Sequence, residues 1–214
     1  MCNVDAPWAG LEPEDLIRAL AEVRVAWWFA GGWALDLYLG SSTRDHADID
    51  VSVFRDEFSA FAAPLEGWAF FAADGTLTRW RWGEGVPKTI HTFWVRPTGS
   101  PRWSFEVLLE DRDGRDWLCR RDPGIRLPAD QLTMDRGGYR FVRPEVQLLY
   151  KAKDPRPKDE EDFTRVCERL SRDARAWLYL GLKRLHPGHP WLPASAPSEE
   201  PRRPESVWPI SSSE

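Results

Sequence analysis

The apolar positions change period several times along the chain. From Glu14 to Val25, Leu16, Ala19, Leu20 and Val23 recur at helical spacing behind Pro13, with acidic residues in the first turn, which predicts an amphipathic first helix. Val25 to Ala30 is short, apolar and aromatic, and Gly31-Gly32 bounds it, the pattern of a buried strand ending in a turn. Trp33 to Leu39 then reads as a short helix stopped at Gly40. From His46 to Phe54 the period becomes two, with Ala47, Ile49, Val51 and Val53 on one face and Asp48, Asp50 and Ser52 on the other. That is a strand with one buried side.

Glu57 to Leu65 is a weaker helical pattern, followed by strand-like runs at 68–72, 77–82, 89–95 and 103–109, punctuated by Gly75, Gly83-Glu84-Gly85 and the Pro97 to Pro101 turn. After Arg120-Arg121-Asp122-Pro123 the pattern shifts to a hairpin through Gly137-Gly138 and helices at 144–153, 158–170 and 172–186. Pro144 suits a first helical position, and Pro155 and Pro157 separate that helix from the next. From Pro193 onward proline, serine and glutamate dominate, which predicts disorder. The division expected is therefore 1–142 as a catalytic domain, 143–192 as a helical annex and 193–214 as a tail.

Composition alters this picture little. With 214 residues, 42% hydrophobic and 29% charged, the chain has the balance of a globular protein with room for a sizeable core. Thirteen tryptophans are unusual; large aromatic side chains serve mainly as core. A net charge of -5 gives no general attraction to nucleic-acid backbones and suits a cationic acceptor better. Cys2, Cys119 and Cys167 form no CxxC pair, so neither a disulfide framework nor a structural zinc site is expected. Without a signal-peptide pattern in Met1 to Gly10 or a membrane-length apolar run, a soluble cytoplasmic protein is expected.

The chemistry concentrates at Asp48 and Asp50. Two aspartates at i and i+2 on a strand leave the same face about 7 Å apart at the backbone, placing hard oxygen ligands where they can share or bracket magnesium. A polar strand face is the bland alternative. The Gly31-Gly32 turn before a helix lets backbone approach phosphates, although close packing alone also calls for glycine. A third carboxylate is expected on a neighbouring strand. Glu106, a charge between Phe105 and Val107, is preferred to Glu110 or Asp111 because a charge inside an apolar strand is costly without a partner.

Cations for a triphosphate are Lys151 and Lys153, of which Lys153 falls on the helical face of Val146, Leu149 and Tyr150, with Arg44 and His46 as further choices. Asp159 and Asp162 fit simple capping of the next helix, and His186 and His189 a helix-ending turn. Acidic residues at Glu110, Asp111, Asp113 and Asp116 suit either a solvated loop or attraction of a polycation.

Gly31-Gly32-Trp33-Ala34-Leu35-Asp36, then Thr43-Arg44-Asp45-His46-Ala47-Asp48-Ile49-Asp50, resemble the signature of the DNA polymerase beta-like nucleotidyltransferases, closest to the aminoglycoside 2''-nucleotidyltransferase and lincosamide nucleotidyltransferase group. The resemblance implies an α+β nucleotidyltransferase fold, a mixed twisted β-sheet with flanking helices and a C-terminal helical annex. It implies Mg2+ held by Asp48, Asp50 and Glu106, the last where relatives usually carry aspartate. It also implies a nucleoside triphosphate, ATP first, oriented by Gly31, Gly32 and Arg44. Leu149 to Lys153 and Arg156 to Asp159 resemble a further segment in which the first lysine faces phosphates, favouring Lys151 over Lys153. The implied reaction moves NMP to a hydroxyl of an aminoglycoside-like or other small molecule with release of pyrophosphate. A toxin-like transferase acting on tRNA or protein and a non-catalytic nucleotide-binding homologue are the alternatives, and nothing fixes the oligomeric state.

Overall fold

A computed structural model describes residues 5–193, in two compact units: Met1–Asp111 with Asp135–Phe141, and Arg112–Met134 with Val142–Glu214. The tail expected from residue 193 lies almost wholly outside the described residues.

In the first unit, α1 (Pro13–Ala19) begins at its proline and stops well short of Val25. Leu20 and Val23 are still buried, carried into the core by turns rather than helix, because i→i+3 turns satisfy the same apolar spacing. β1 (Trp27–Phe29) leads into α2 (Gly31–Leu39), which ends on Gly40 at φ 79°. β2 covers Asp50–Phe54. The expected strand from His46 is thus shortened, since Thr43 and His46 bond to the side chain of Asp36 instead of to a neighbouring strand. Ser52 is also buried, so β2 is a central strand covered on both faces, not one with a solvent face.

A 3-10 turn at Arg55–Glu57 and α3 (Phe58–Ala62) replace the expected 57–65 helix. β3 (Trp68–Ala73), β4 (Leu77–Arg79), β5 (Thr92–Pro97) and β6 (Phe105–Asp113) follow. After two further short strands that belong to the second unit, β7 (Asp116–Leu118) and β8 (Arg126–Pro128), come β9 (Thr133–Arg136) and β10 (Tyr139–Val142). Gly137 and Gly138, at φ 60° and 87°, supply the two left-handed residues of the tight β9–β10 turn.

The sheet order is β4-β3-β5-β6-β2-β1-β10-β9. It is mixed: β2 runs parallel to β6 and β1 to β10, while β1–β2, β5–β6, β3–β5 and β3–β4 are antiparallel. The register sets Asp50 opposite Glu106, and Glu106 opposite Trp94. Phe58, Phe70, Phe93 and Trp80 pack together on one side, with Phe58 stacked on Phe93 at 4.3 Å. A second cluster gathers Trp8, Trp94, Phe71 and fully buried Trp103 beneath the Arg96 guanidinium, 4.4 Å from the Trp103 ring.

In the second unit the β7–β8 hairpin, too short to register as a pattern, joins α4 (Pro144–Lys151), α5 (Pro157–Cys167) and α6 (Arg172–Leu185). Gly181 of α6 lies so close to α4 that a side-chain carbon there would meet Leu149 at 3.0 Å. His186 to His189 form the turn that ends α6. No helix among the described residues is long and apolar enough to cross a membrane.

Among the described tryptophans only Trp82 is largely exposed, at 54%, so the aromatic wealth is core, as expected. Trp103→Ala is expected to cost about 3–5 kcal/mol in urea unfolding. Trp82→Ala should stay within about 0.5 kcal/mol. Equal effects of the two would contradict this account of the core.

Candidate active site

Asp50 opens β2 directly beside the start of α2: the Ala30 N–H donates to the Asp50 carbonyl at 2.9 Å. Gly31, the first residue of α2, has φ 63°, and any side-chain carbon on it would overlap the Asp50 carboxylate. Only glycine tolerates both the left-handed backbone and that contact. Gly32 has a different neighbour. A side-chain carbon there would overlap the Arg44 guanidinium and sit 2.6 Å from the His46 ring. The two glycines thus hold two separate functional groups against the first turn of α2.

That turn carries no acidic residue and no N-cap side-chain bond of its own, and its positive dipole end faces the Asp50 carboxylate. Asp48 precedes β2, two residues before Asp50, with Ile49 between them buried in the opposite direction.

Glu106 projects from β6 into hydrogen-bond contact with Asp50, and Trp94 of β5 also bonds to it. Burial, then the negative charge and hydrogen bond of Asp50, then the charge of Asp48, push the Glu106 carboxyl well above the usual carboxylate range, against a smaller opposing effect of Trp94. Among the described residues no three His, Cys, Asp or Glu side chains already stand as a finished metal cage. The donor chemistry nevertheless suits a hard divalent ion: two crowded carboxylates on adjacent strands, with a third carboxylate close enough to be felt.

The other expected residues fall in different places. Glu110 pairs with Phe54, at the far end of β2 from Asp50, and Asp111 is held by Arg55 at 2.5 Å, so Glu106 is the acid that the sheet brings to Asp50. In the second unit Asp116 is paired with Arg126 at 3.6 Å. Lys151 lies in that unit, only 8% exposed at its side chain, clamped by Asp159 and by Asp162 at 3.1 Å, with Arg156 also on Asp159 at 2.8 Å. Although burial opposes ionisation of Asp159, the bonds from Arg156 and Lys151 win and hold its carboxyl far below the usual range. Asp159 and Asp162 do more than cap a helix: they neutralise a buried lysine. Lys153, expected on the face of Val146 and Leu149, is exposed in the turn that follows α4, because the helix stops at Lys151.

Two residues were not singled out from sequence. Trp94 gave no signal, being one aromatic residue among many. Asp36 did: it is a charge amid Trp33, Ala34 and Leu35, only 4% exposed, and the reasoning applied to Glu106 applies to it equally. Burial would raise its carboxyl, but hydrogen bonds from His46, the Thr43 hydroxyl at 2.6 Å and the Thr43 N–H at 3.0 Å hold it below the ordinary value.

Residues 14–81, which include the Gly31-Gly32 turn and both aspartates, match the family model described as aminoglycoside-2''-adenylyltransferase. A crystal structure of ANT(2'')-Ia in complex with adenylyl-2''-tobramycin is similar to this chain at 16% identity and TM-score 0.53, covering 80% of this chain and 95% of that one. A solution structure of ANT(2'')-Ia gives 17% and 0.52, over 80% and 89%. The lincomycin-bound lincosamide adenylyltransferase LnuA gives 17% and 0.47, over 72% and 90%. Among curated proteins no sequence match is found. The family match thus falls on the segment that builds the site, and the chain shares its fold with ANT(2'')-Ia.

Proposed function

We propose that the chain transfers NMP, AMP first among them, from a nucleoside triphosphate to a hydroxyl of an aminoglycoside-like small molecule. The observation that carries this reading is the facing pair of Asp50 and Glu106, set against the glycine start of α2 with Asp48 alongside. The family match over residues 14–81 supports the choice of acceptor class.

Asp48, Asp50 and Glu106 would hold Mg2+, which when bound supplies a Lewis acid for the triphosphate and the attacking oxygen. The protein's own groups divide the remaining work. The first turn of α2 and the Arg44 guanidinium meet the triphosphate with partial and full positive charge. Lys151 serves instead as the buried counter-charge of Asp159 and Asp162.

Glu106 would either take the hydroxyl proton or complete the metal shell. In the transfer the acceptor oxygen bonds to the α-phosphorus. The bond from that phosphorus to the α–β bridging oxygen breaks, and pyrophosphate leaves.

Incubation with Mg2+, each of the four NTPs and a panel of aminoglycosides, lincosamides and bulk tRNA is expected to release pyrophosphate with an aminoglycoside and ATP. Asp50→Asn should reduce turnover by at least about 100-fold, of the order of losing a transition-state charge contact. Release only with tRNA would overturn the acceptor class, and a fully active Asp50→Asn would overturn the site.

The raised Glu106 carboxyl also makes a stability prediction. Its contribution is complete below the unfolded value near ~4.3 and is lost as pH rises through the raised folded value. Glu106→Gln has no proton to lose, so without metal it should melt at least ~2 °C above wild type at pH 7, the gain vanishing near pH 4 while activity is abolished. A Tm difference independent of pH would contradict the raised Glu106 carboxyl.

A further inference from the structure

His46 is almost completely enclosed, its side chain 2% exposed, and both ring nitrogens are engaged. Nε2 lies 2.7 Å from the Asp36 carboxylate and Nδ1 lies 3.1 Å from Nη1 of Arg44. A guanidinium has donors only, so Nδ1 must present its lone pair to Arg44, and the ring proton must sit on Nε2, facing Asp36. Trp33 covers the ring at 4.5 Å, and Gly32 leaves the space into which both the ring and the guanidinium fit. Asp36 is itself fixed by two bonds from Thr43. The chain of contacts runs from a buried carboxylate through one imidazole tautomer to a half-buried guanidinium packed on the first turn of α2.

The geometry points to His46 as a positioning residue for nucleotide: Asp36 fixes its tautomer, and its Nδ1 lone pair then holds the Arg44 guanidinium at the start of α2, aimed at the triphosphate. This rests on the reading of the site as a nucleoside triphosphate site, but not on the identity of the acceptor. Arg44 also donates to the Asp45 carbonyl at 3.1 Å, and fixing its fork in advance removes the entropy that phosphate binding would have to overcome. The Asp36 carboxylate does for His46 what the third member of a catalytic triad does for its imidazole, except that the held group here is a cation.

The test is equilibrium binding of Mg·ATP to the full chain by titration calorimetry, without acceptor. His46→Leu and Arg44→Leu should each weaken binding about tenfold, and the double variant should be no weaker than Arg44→Leu alone. Asp36→Leu removes the oxygen that accepts the Nε2 proton, so the ring is free to protonate at Nδ1, where it opposes Arg44. It should weaken ATP binding as His46→Leu does, again without added effect in the Arg44→Leu background. His46→Gln, which keeps one acceptor and one donor, should recover most of the affinity.

Nitrogen chemical shifts of His46 should show Nε2 protonated in wild type, and loss of that single tautomer in Asp36→Leu. Additive losses, unchanged ATP affinity in His46→Leu and Asp36→Leu, or a wild-type proton on Nδ1 would each overturn the proposal. Wild-type protein that binds no NTP would overturn it together with the proposed function. Coupled binding with no turnover on any acceptor would support the role of His46 and sink only the transfer reaction.

Discussion

Two carboxyl groups that repel each other have to be held side by side, and the arrangement of the first unit follows from that demand. Asp50 and Glu106 are register partners on parallel strands, so neither can retreat without breaking the sheet between β2 and β6. Nearby protein withdraws water from Glu106, and Asp48 adds a further negative charge. Such a cluster is destabilising in isolation, and it persists because the surrounding core over-determines it. Phe105 and Val107 flank Glu106 on the buried face of β6, and Val51 and Val53 do the same for β2.

The glycine pair settles where α2 can sit relative to that cluster. Gly31 brings the first turn of the helix onto Asp50, and Gly32 brings it onto Arg44 and His46. Negative charge, helix dipole and guanidinium thereby occupy one small volume, which suits a ligand that carries metal and phosphate together. At its other end α2 is secured too. Arg136 donates to the Tyr38 carbonyl at 2.5 Å and packs against Gly40, a cation at the negative end of the dipole.

Much of this was legible in the residues. Glu106 betrayed itself as a charge in an apolar strand, and the Gly137-Gly138 turn, the glycine stop of α2 and the proline starts of α4 and α5 showed themselves through local backbone chemistry that distant contacts do not override. The errors have one origin: periodicity reports which residues face inward, not what satisfies the backbone. His46 and Ala47 continue the alternation of β2, yet the segment before Asp48 is bonded to Asp36 across a helix. Leu20 and Val23 continue the period of α1, yet turns bury them. The ion pairs of Lys151 were equally hidden, because Asp159 and Asp162 lie eight and eleven residues away, a distance at which no pattern connects them.

The steric fit of the two glycines also bears on how such a site descends. Residues 31 and 32 cannot gain even one carbon without displacing a carboxylate or a guanidinium, whereas most other positions of the sheet require only an apolar side chain of suitable size. Substitution is therefore tightly limited at the turn and tolerated more widely elsewhere. At 16% identity over four-fifths of its length the chain still shares a fold with ANT(2'')-Ia, while at its own turn a few cubic ångströms of empty space leave room for a carboxylate and a guanidinium and for nothing else.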